Sequence, residues 1–229
     1  MSIANVDAII FDLDGTLADT APDICANLNH TLNAWGLSPY SVEEVKRFVG
    51  NGAKMLALRA LRGRTDELRA KGISDEANAP ELLERFFADL MAFYAQNESA
   101  LTTLYPGVRE FLQNTSITLA IFTNKPGVPT LRFLDHFGLA DYFAAVLHAD
   151  NVPHHKPHPE GVFRILSALH ATPARTLMVG DGIPDVEVAK AAGVRSVALL
   201  QGFAAEADLR AAGPDWLAST FAEFAALLS

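Results

Sequence analysis

Short apolar runs alternate with helical patterns along most of this chain, and this alternation limits the possible folds more than any other feature. The runs are rich in β-branched and aromatic residues, which is typical of strands buried on both faces. They lie at Ala8–Phe11, Ile117–Phe122, Ala145–His148, Thr176–Val179 and Ser196–Leu200. Helices are expected at Val108–Gln113, Val128–Phe137, Glu160–His170 and Asp185–Ala192, with two more around Pro214. This order predicts an α/β fold in which helices cover both faces of a Rossmann-like parallel sheet.

The segment between the first strand and about residue 100 has helical patterns and no convincing buried strand. The helices are expected at Ile24–Trp35, Val42–Phe48, Met55–Leu61 and Leu82–Tyr94. Thr20 and Pro22 are typical of a helix beginning, so Thr20 is the expected N-cap, with Asp23 near the positive end of the helix dipole. We predict an α-helical cap domain over residues 18–101, inserted into a discontinuous core domain of residues 1–17 and 102–229.

The charge balance argues against two classes of partner. The chain has 18 Lys and Arg residues against 27 Asp and Glu residues, a formal net charge of −9. Nucleic acids and anionic membranes both require a basic surface, so neither is expected as a partner. Cys25 is the single cysteine and can form no internal disulfide, and the N-terminus has no signal-peptide pattern. We expect a soluble, cytoplasmic monomer or homodimer.

Polar side chains follow the predicted strands at the points where the strands end. They belong to the segments Asp12–Thr16, Thr123–Lys125, His154–Pro157 and Gly180–Asp185. The carboxyl ends of parallel strands share one edge of the sheet, where ligands of open α/β folds bind. Clustered carboxylates repel one another unless a cation compensates, and Mg²⁺ is usually held by carboxylates together with substrate phosphate oxygens. A lysine and a threonine hydroxyl beside such a site favour a dianionic ligand. This combination indicates phosphoryl transfer, and the expected partner is a small phosphorylated metabolite.

These segments, taken together, resemble the motifs of the haloacid dehalogenase superfamily, in particular its phosphatases with an α-helical cap after strand one. Asp12-Leu13-Asp14-Gly15-Thr16 matches the DxDGT motif, and Thr123 matches the hydroxyl motif. Lys156-Pro157 matches the lysine motif, and Gly180-Asp181 with Asp185 matches the final acidic motif. Within the superfamily, Leu104–Val108 and the tail from Gly202 to Gly213 look most like phosphoglycolate phosphatases, which convert 2-phosphoglycolate to glycolate and phosphate.

The resemblance implies a role for each acidic residue. Asp12 is implied as the nucleophile that forms an aspartyl-phosphate, and Asp14 as the acid that protonates the leaving oxygen and then activates water. Mg²⁺ is implied to bind Asp12, the backbone carbonyl of Asp14 and Asp181, with Asp185 orienting the metal ligands.

The resemblance also implies which residues bind the phosphate group and the rest of the substrate. Thr16, Thr123, Asn124 and Lys156 are implied to contact phosphate, and Lys156 also to pair with Asp12. The family places a substrate-specificity loop near Gly50-Asn51-Gly52, so this loop is a candidate contact with the substrate. A plain turn between two helices is an equally good interpretation of these residues.

Two features depart from the family pattern. Gly182 stands where relatives commonly carry Ser or Thr, which removes one hydroxyl near the expected metal site. The histidines His154, His155 and His158 surround Lys156 and superficially suggest a zinc site. No cysteine cluster accompanies them and their spacing fits no helix face, so we interpret them as a polar rim.

Several other functions share part of this constellation. A sugar phosphomutase similar to β-phosphoglucomutase, or a pyrophosphatase of the same superfamily, would use the same nucleophile and acid. Dehalogenases of the superfamily lack the metal site and an acid such as Asp14, which counts against them. A non-enzymatic receiver domain also clusters Asp, Thr and Lys, but its phosphorylated Asp follows the third strand rather than the first. The leading prediction is a Mg²⁺-dependent phosphatase acting on a small phosphomonoester.

Overall fold

The computed structural model describes residues 3–73, 80–96 and 100–228. The strands are β1 (Ala8–Phe11), β2 (Ala18–Asp19), β3 (Thr103–Leu104), β4 (Thr118–Phe122), β5 (Ala145–Leu147), β6 (Thr176–Gly180), β7 (Arg195–Leu199) and β8 (Trp216–Ala218). The helices are α1 (Ala21–Ala34), α2 (Val42–Lys46), α3 (Ala53–Arg62), α4 (Thr65–Ala70), α5 (Pro80–Tyr94), α6 (Val108–Asn114), α7 (Gly127–His136), α8 (Glu160–Leu169), α9 (Ile183–Ala192), α10 (Glu206–Ala212) and α11 (Phe221–Leu227). The predicted domain limits include residues 1–2, 74–79, 97–99 and 229, which lie outside the described residues.

Six strands form a parallel sheet in the order β5-β4-β1-β6-β7-β8. Strand β1 lies in the middle, and its side chains alternate between two hydrophobic clusters. Ile9 and Phe11 pack on the face covered by α6, α7 and α11, whereas Ile10 packs on the face covered by α8 and α9. Both faces of the sheet are therefore buried, and the predicted Rossmann-like α/β fold is confirmed.

An aromatic cluster fixes α11 against the sheet. The rings of Phe11, Phe221 and Phe224 are fully buried, with centroids 5.4–5.9 Å apart. We expect Phe221→Ala to lower the free energy of unfolding by about 3–5 kcal/mol, because it leaves a cavity among these rings. Urea denaturation measures this loss. The matched control is Phe163→Ala, at an exposed phenylalanine of α8, and an equal loss in both variants would contradict the prediction.

The helical segment between β2 and β3 has a hydrophobic core of its own. Helices α1, α3 and α5 supply most of its buried side chains, including Leu28, Leu32, Leu61 and Phe86. This cluster shares no buried residue with the clusters that cover the sheet. We call residues 20–100 the cap segment. Its four predicted helices are present, together with the additional short helix α4, which the sequence analysis missed.

The two chain crossings between the sheet and the cap segment lie side by side. Ala18 of β2 pairs with Leu104 of β3 in a short antiparallel ribbon. The carboxylate of Asp23 in α1 accepts hydrogen bonds from the backbone N–H of Leu101, 3.1 Å away, and from the hydroxyl of Thr102. Asp23 therefore ties the outgoing chain to the returning chain.

The beginning of α1 differs in detail from the prediction. Thr20 occupies the N-cap position, but its buried hydroxyl has no hydrogen-bond partner among the described residues. The carboxylate of Asp19 instead accepts from the backbone N–H of Ala21, at 3.1 Å. The predicted capping by the Thr20 side chain is therefore wrong, because the backbone of Thr20 is helical (φ −96°, ψ −4°) and not extended as in a capping residue, and Pro22 offers no N–H.

Strand β8 was not predicted. It contains three residues at the edge of the sheet, and Asp215 just before it accepts hydrogen bonds from the backbone N–H and the hydroxyl of Ser196 in β7, at 2.7 and 3.0 Å. The two helices expected around Pro214 are present as α10 and α11. In the part of the chain that the structure describes, no helix combines the length and apolar character needed to span a bilayer.

Candidate active site

A cleft of about 660 Å³ lies between the cap segment and the carboxyl edge of the sheet. The sheet side contributes residues that follow four strands, including Asp12, Asp14, Thr123, Asn124, Lys125, Asp181, Asp185 and Phe203. The cap side contributes Asn27, the loop of residues 49–53, Arg59 and Tyr94. The structure thus brings most of the predicted site residues into one cavity, whereas Thr16 and Lys156 do not line it.

Three buried carboxylates meet at the floor of the cleft. One oxygen from each of Asp12, Asp181 and Asp185 lies within 4.8 Å of the others. Burial raises the pKa of Asp181 well above its usual range, and the charges of Asp12 and Asp185 raise it further. Burial likewise raises the pKa of Asp185 to about 6, although the ammonium of Lys156 opposes the shift. All three carboxylates can be ionised together in this buried site only if positive charge lies nearby.

Asp181 is held by two hydrogen bonds in a space that glycines leave open. Its oxygens accept from the hydroxyl of Thr16 and from the backbone N–H of Phe203, both at 2.8 Å. A Cβ added at Gly15 or at Gly202 would lie 2.2 Å from a side-chain atom of Asp181. Gly15 also has a φ of +79°, which other residues rarely adopt. Both glycines are therefore needed for this carboxylate to reach its position.

Thr16 has a different partner from the expected phosphate. Its side chain is fully buried, and its hydroxyl donates to Asp181. The structure therefore favours a role in orienting this carboxylate. Thr16 directly follows the turn at Gly15, and its hydroxyl contacts Asp181. The sequence motif alone could not indicate this contact.

Lys156 compensates part of the negative charge. Its buried ammonium lies 2.9 Å from the carboxylate of Asp12 and 2.6 Å from that of Asp185. The other oxygen of Asp185 accepts from the backbone N–H of Gly182, at 2.9 Å. Gly182 has no side chain, so this contact comes from its backbone.

The donor set fits a hard divalent cation. Oδ1 of Asp12 is buried, and its partner among the described residues is the ammonium of Lys156, 2.9 Å away. Asp12, Asp181 and Asp185 present carboxylate oxygens only, the ligand type that Mg²⁺ prefers. One lysine against three carboxylates leaves net negative charge, which a cation at this point would neutralise.

Asn124 connects three parts of the cleft. Its amide nitrogen donates to the backbone carbonyls of Gly50 and Lys156, both at 3.1 Å, and its oxygen accepts from the backbone N–H of Lys156, at 2.9 Å. The cap loop around Gly50 is thereby joined to the segment that carries the lysine. Thr123 lies beside Asn124 at the end of β4, buried and lining the cleft.

The loop Gly50-Asn51-Gly52 faces the sheet edge, as a loop that contacts the substrate would have to. All three residues line the cleft. The side-chain oxygen of Asn51 accepts a hydrogen bond from Arg59, at 2.7 Å, and Arg59 also donates to the carbonyl of Phe48, at 2.7 Å. Arg59 therefore holds the loop in shape from the cap side.

Lys125 is a charged residue that the sequence analysis did not include in the site. Its buried ammonium lies 2.8 Å from the carboxylate of Asp14 and 2.8 Å from the hydroxyl of Tyr94. Burial opposes the charged form of this lysine, but Asp14 and Tyr94 together outweigh burial and raise the pKa of Lys125 above its ordinary value. Its position directly after Thr123-Asn124 at a strand end was the signal in the sequence.

The three histidines near Lys156 lie outside the cleft. His154 pairs with Glu160, with 2.8 Å between Nδ1 and Oε2, and its ring stacks on that of His158. These side chains are largely exposed, and the Nδ1 atoms of both rings are already engaged, since that of His158 accepts from the backbone of Glu160. They form the polar rim that the sequence suggested.

Comparison with known proteins places the chain in a family. The family profile described as haloacid dehalogenase-like hydrolase matches residues 9–199. A phosphoglycolate phosphatase of Pseudomonas fluorescens is 38% identical over 198 residues, 85% of this chain and 70% of that protein. One from Vibrio parahaemolyticus is 34% identical over 233 residues, 97% of this chain and 96% of that protein.

Solved structures give the same result. One from Haemophilus somnus, described as a predicted phosphoglycolate phosphatase, aligns with a TM-score of 0.87 at 28% identity and covers 99% of this chain and 100% of its own. CbbY from Rhodobacter sphaeroides, solved in complex with phosphate, aligns with a TM-score of 0.72 at 26% identity over 96% of each chain. The matched profile spans the strand-end motifs that form the cleft, and the chain belongs to the family of haloacid dehalogenase-like hydrolases.

Proposed function

We propose that this chain is a Mg²⁺-dependent phosphatase that hydrolyses a small phosphomonoester through an aspartyl-phosphate on Asp12, with 2-phosphoglycolate as its substrate. The observation that carries the proposal is the position of Asp12. It lines the cleft, its Oδ1 lies 2.9 Å from the ammonium of Lys156, and two further carboxylates lie beside it. A nucleophile for a phosphate ester needs access to the substrate and nearby positive charge that keeps it ionised.

The proposed chemistry divides between two aspartates. Asp12 attacks phosphorus, so that the bond from phosphorus to the alcohol oxygen breaks and an acyl phosphate forms. Asp14 gives its proton to the departing alcohol oxygen and then takes a proton from the water that hydrolyses the acyl phosphate. Splitting the displacement in this way replaces one difficult step by two easier ones.

The remaining residues bind and orient the phosphate group. Lys156 keeps Asp12 in place and is assigned a contact with a phosphate oxygen, and the Thr123 hydroxyl lies at the same edge of the sheet. Mg²⁺ would be held by Asp12, Asp181 and the backbone carbonyl of Asp14. Asp185 would orient these metal ligands. The metal would neutralise charge repulsion between the nucleophile and the phosphate dianion.

The proposed substrate rests on the relatives and on the division of the cleft. The sheet side can recognise only the phosphate group, which every phosphomonoester carries, so the choice of alcohol falls to the cap segment. Two relatives named as phosphoglycolate phosphatases share 34–38% of their aligned residues with this chain. We therefore propose that the segment of residues 18–101 acts as the cap and selects the alcohol.

A phosphate-release assay with purified protein tests the proposal. Activity towards 2-phosphoglycolate should require Mg²⁺, disappear with EDTA and return when Mg²⁺ is added in excess. Ca²⁺ should substitute poorly, because it takes more oxygen ligands in a looser geometry. Full activity in metal-free buffer would refute the metal requirement. Faster turnover of sugar phosphates with transfer to a second hydroxyl would favour a phosphomutase.

A further inference from the structure

Lys125 lies between the sheet and the cap segment, and both sides contact it. It precedes α7, and its backbone N–H donates to the hydroxyl of Thr123, at 3.2 Å, while its carbonyl accepts from the N–H of Ala149, at 3.0 Å. These two hydrogen bonds fix the backbone of Lys125 and so the starting point of its side chain. The ammonium reaches Asp14 on the sheet side and Tyr94, the last residue of α5, on the cap side.

The ammonium restricts where the Asp14 carboxylate can lie. Asp14 is 12% and Lys125 5% exposed at the side chain, so water cannot replace either partner fully. A buried ammonium without a partner is costly, which favours the conformation in which Asp14 remains 2.8 Å away. Lys125 is nearly as buried as Lys156, yet it makes no contact with Asp12, Asp181 or Asp185 among the contacts described for these residues.

We propose that Lys125 is a positioning residue for proton transfer by Asp14, and that Tyr94 makes this positioning depend on a closed cap. The inference rests on the proposed function, because it assigns a partner to the acid in that mechanism. When the cap segment closes, the Tyr94 hydroxyl completes the polar surroundings of the ammonium. Asp14 is then held where it can meet the oxygen of the departing alcohol, and water is excluded at the same time.

Leaving-group dependence distinguishes positioning of an acid from a general structural role. An alkyl alcohol is a poor leaving group and needs the proton, whereas p-nitrophenolate leaves without one. In Lys125→Met, we expect kcat/KM to fall about 100-fold for 2-phosphoglycolate and less than about fivefold for p-nitrophenyl phosphate, since acid catalysis contributes 10²–10⁴-fold. Because Asp14 also activates water, a burst of p-nitrophenol should precede a slower steady rate.

Two further variants complete the test. Tyr94→Phe removes only a hydroxyl and should give the same pattern with a smaller loss, about three- to tenfold for 2-phosphoglycolate, the effect of one hydrogen bond. The control is Lys54→Met, an exposed lysine of α3 that pairs with Glu84 outside the cleft. It should leave both substrates unchanged.

The outcomes separate the possible failures. Equal losses for both esters in Lys125→Met would show a structural role and overturn the proposal, and so would unchanged kinetics. If circular dichroism shows that Lys125→Met does not fold, Tyr94→Phe provides the test. Equal losses of kcat/KM for the two esters in Tyr94→Phe, or no loss for either, would also overturn the proposal. A wild-type protein that releases no phosphate from any ester would instead refute the proposed function.

Discussion

Asp12→Asn should leave almost no turnover, with a loss on the order of 10⁶-fold, the lower range of accelerations that whole enzymes achieve. The amide is nearly the same size as the carboxylate, but it carries no charge and is a poor nucleophile. The variant should therefore bind substrate and form no phosphoenzyme. Mass spectrometry of acid-quenched protein measures this directly, as the presence or absence of a phosphoryl adduct on the peptide that contains Asp12.

The control for this variant lies at the other end of the same strand. Asp7 directly precedes β1 at the opposite edge of the sheet, exposed and paired with Arg175. Asp7→Asn makes the same chemical change and should keep full activity. If Asp12→Asn still forms the adduct on that peptide, another residue is the nucleophile and the proposed mechanism is wrong.

Lys156→Met should lower both activity and stability. The substitution keeps most of the side-chain volume but leaves the carboxylates of Asp12 and Asp185 without the ammonium that lies 2.9 and 2.6 Å from them. Removing one partner of a buried ion pair costs about 3–5 kcal/mol, so urea denaturation in metal-free buffer should show a loss of that size. Turnover should fall as well, because Asp12 loses the group that orients it.

The stabilisation of each variant by Mg²⁺ tests whether the cation binds at the cluster that Lys156 contacts. If the cation and the ammonium neutralise the same cluster, Mg²⁺ should stabilise Lys156→Met by more than it stabilises the wild type. The exposed-lysine variant Lys54→Met should match the wild type with and without Mg²⁺. An identical response to Mg²⁺ in wild type and Lys156→Met would show that the acidic cluster is not the binding site.

The sheet could be predicted because its strands are buried on both faces. Ile9, Ile10 and Phe11 form an uninterrupted apolar run, and such runs signal a strand without any knowledge of distant contacts. Strand β8 is an apolar run of only three residues, Trp216–Ala218, which is too short to indicate a strand by itself. Its three residues become a strand because Asp215 bonds to Ser196 and aligns the chain beside β7, and that contact spans 19 residues.

Residues of the site were predictable to the extent that they follow strands. Asp12, Thr123 and Asp181 come together because parallel strands end at one edge of a sheet, so that strand order alone brings them close. The contact between Lys125 and Tyr94 depends on how the cap segment packs against the sheet, and no periodicity in the sequence encodes that. The partner of Thr16 could not be predicted either. Its hydroxyl donates to Asp181 and not to a phosphate because of the turn at Gly15, and the direction of the chain after that turn depends on the fold.

The ribbon formed by β2 and β3 gives this architecture an evolutionary consequence. Because Ala18 pairs with Leu104, the insertion leaves the sheet and returns to it at one place, as a tight hairpin would. Lengthening an insertion whose ends already meet costs little entropy. A lineage can therefore enlarge, shorten or exchange these helices without moving β1 or the residues that follow it. New substrates can then be recruited while the hydrolytic machinery is inherited unchanged.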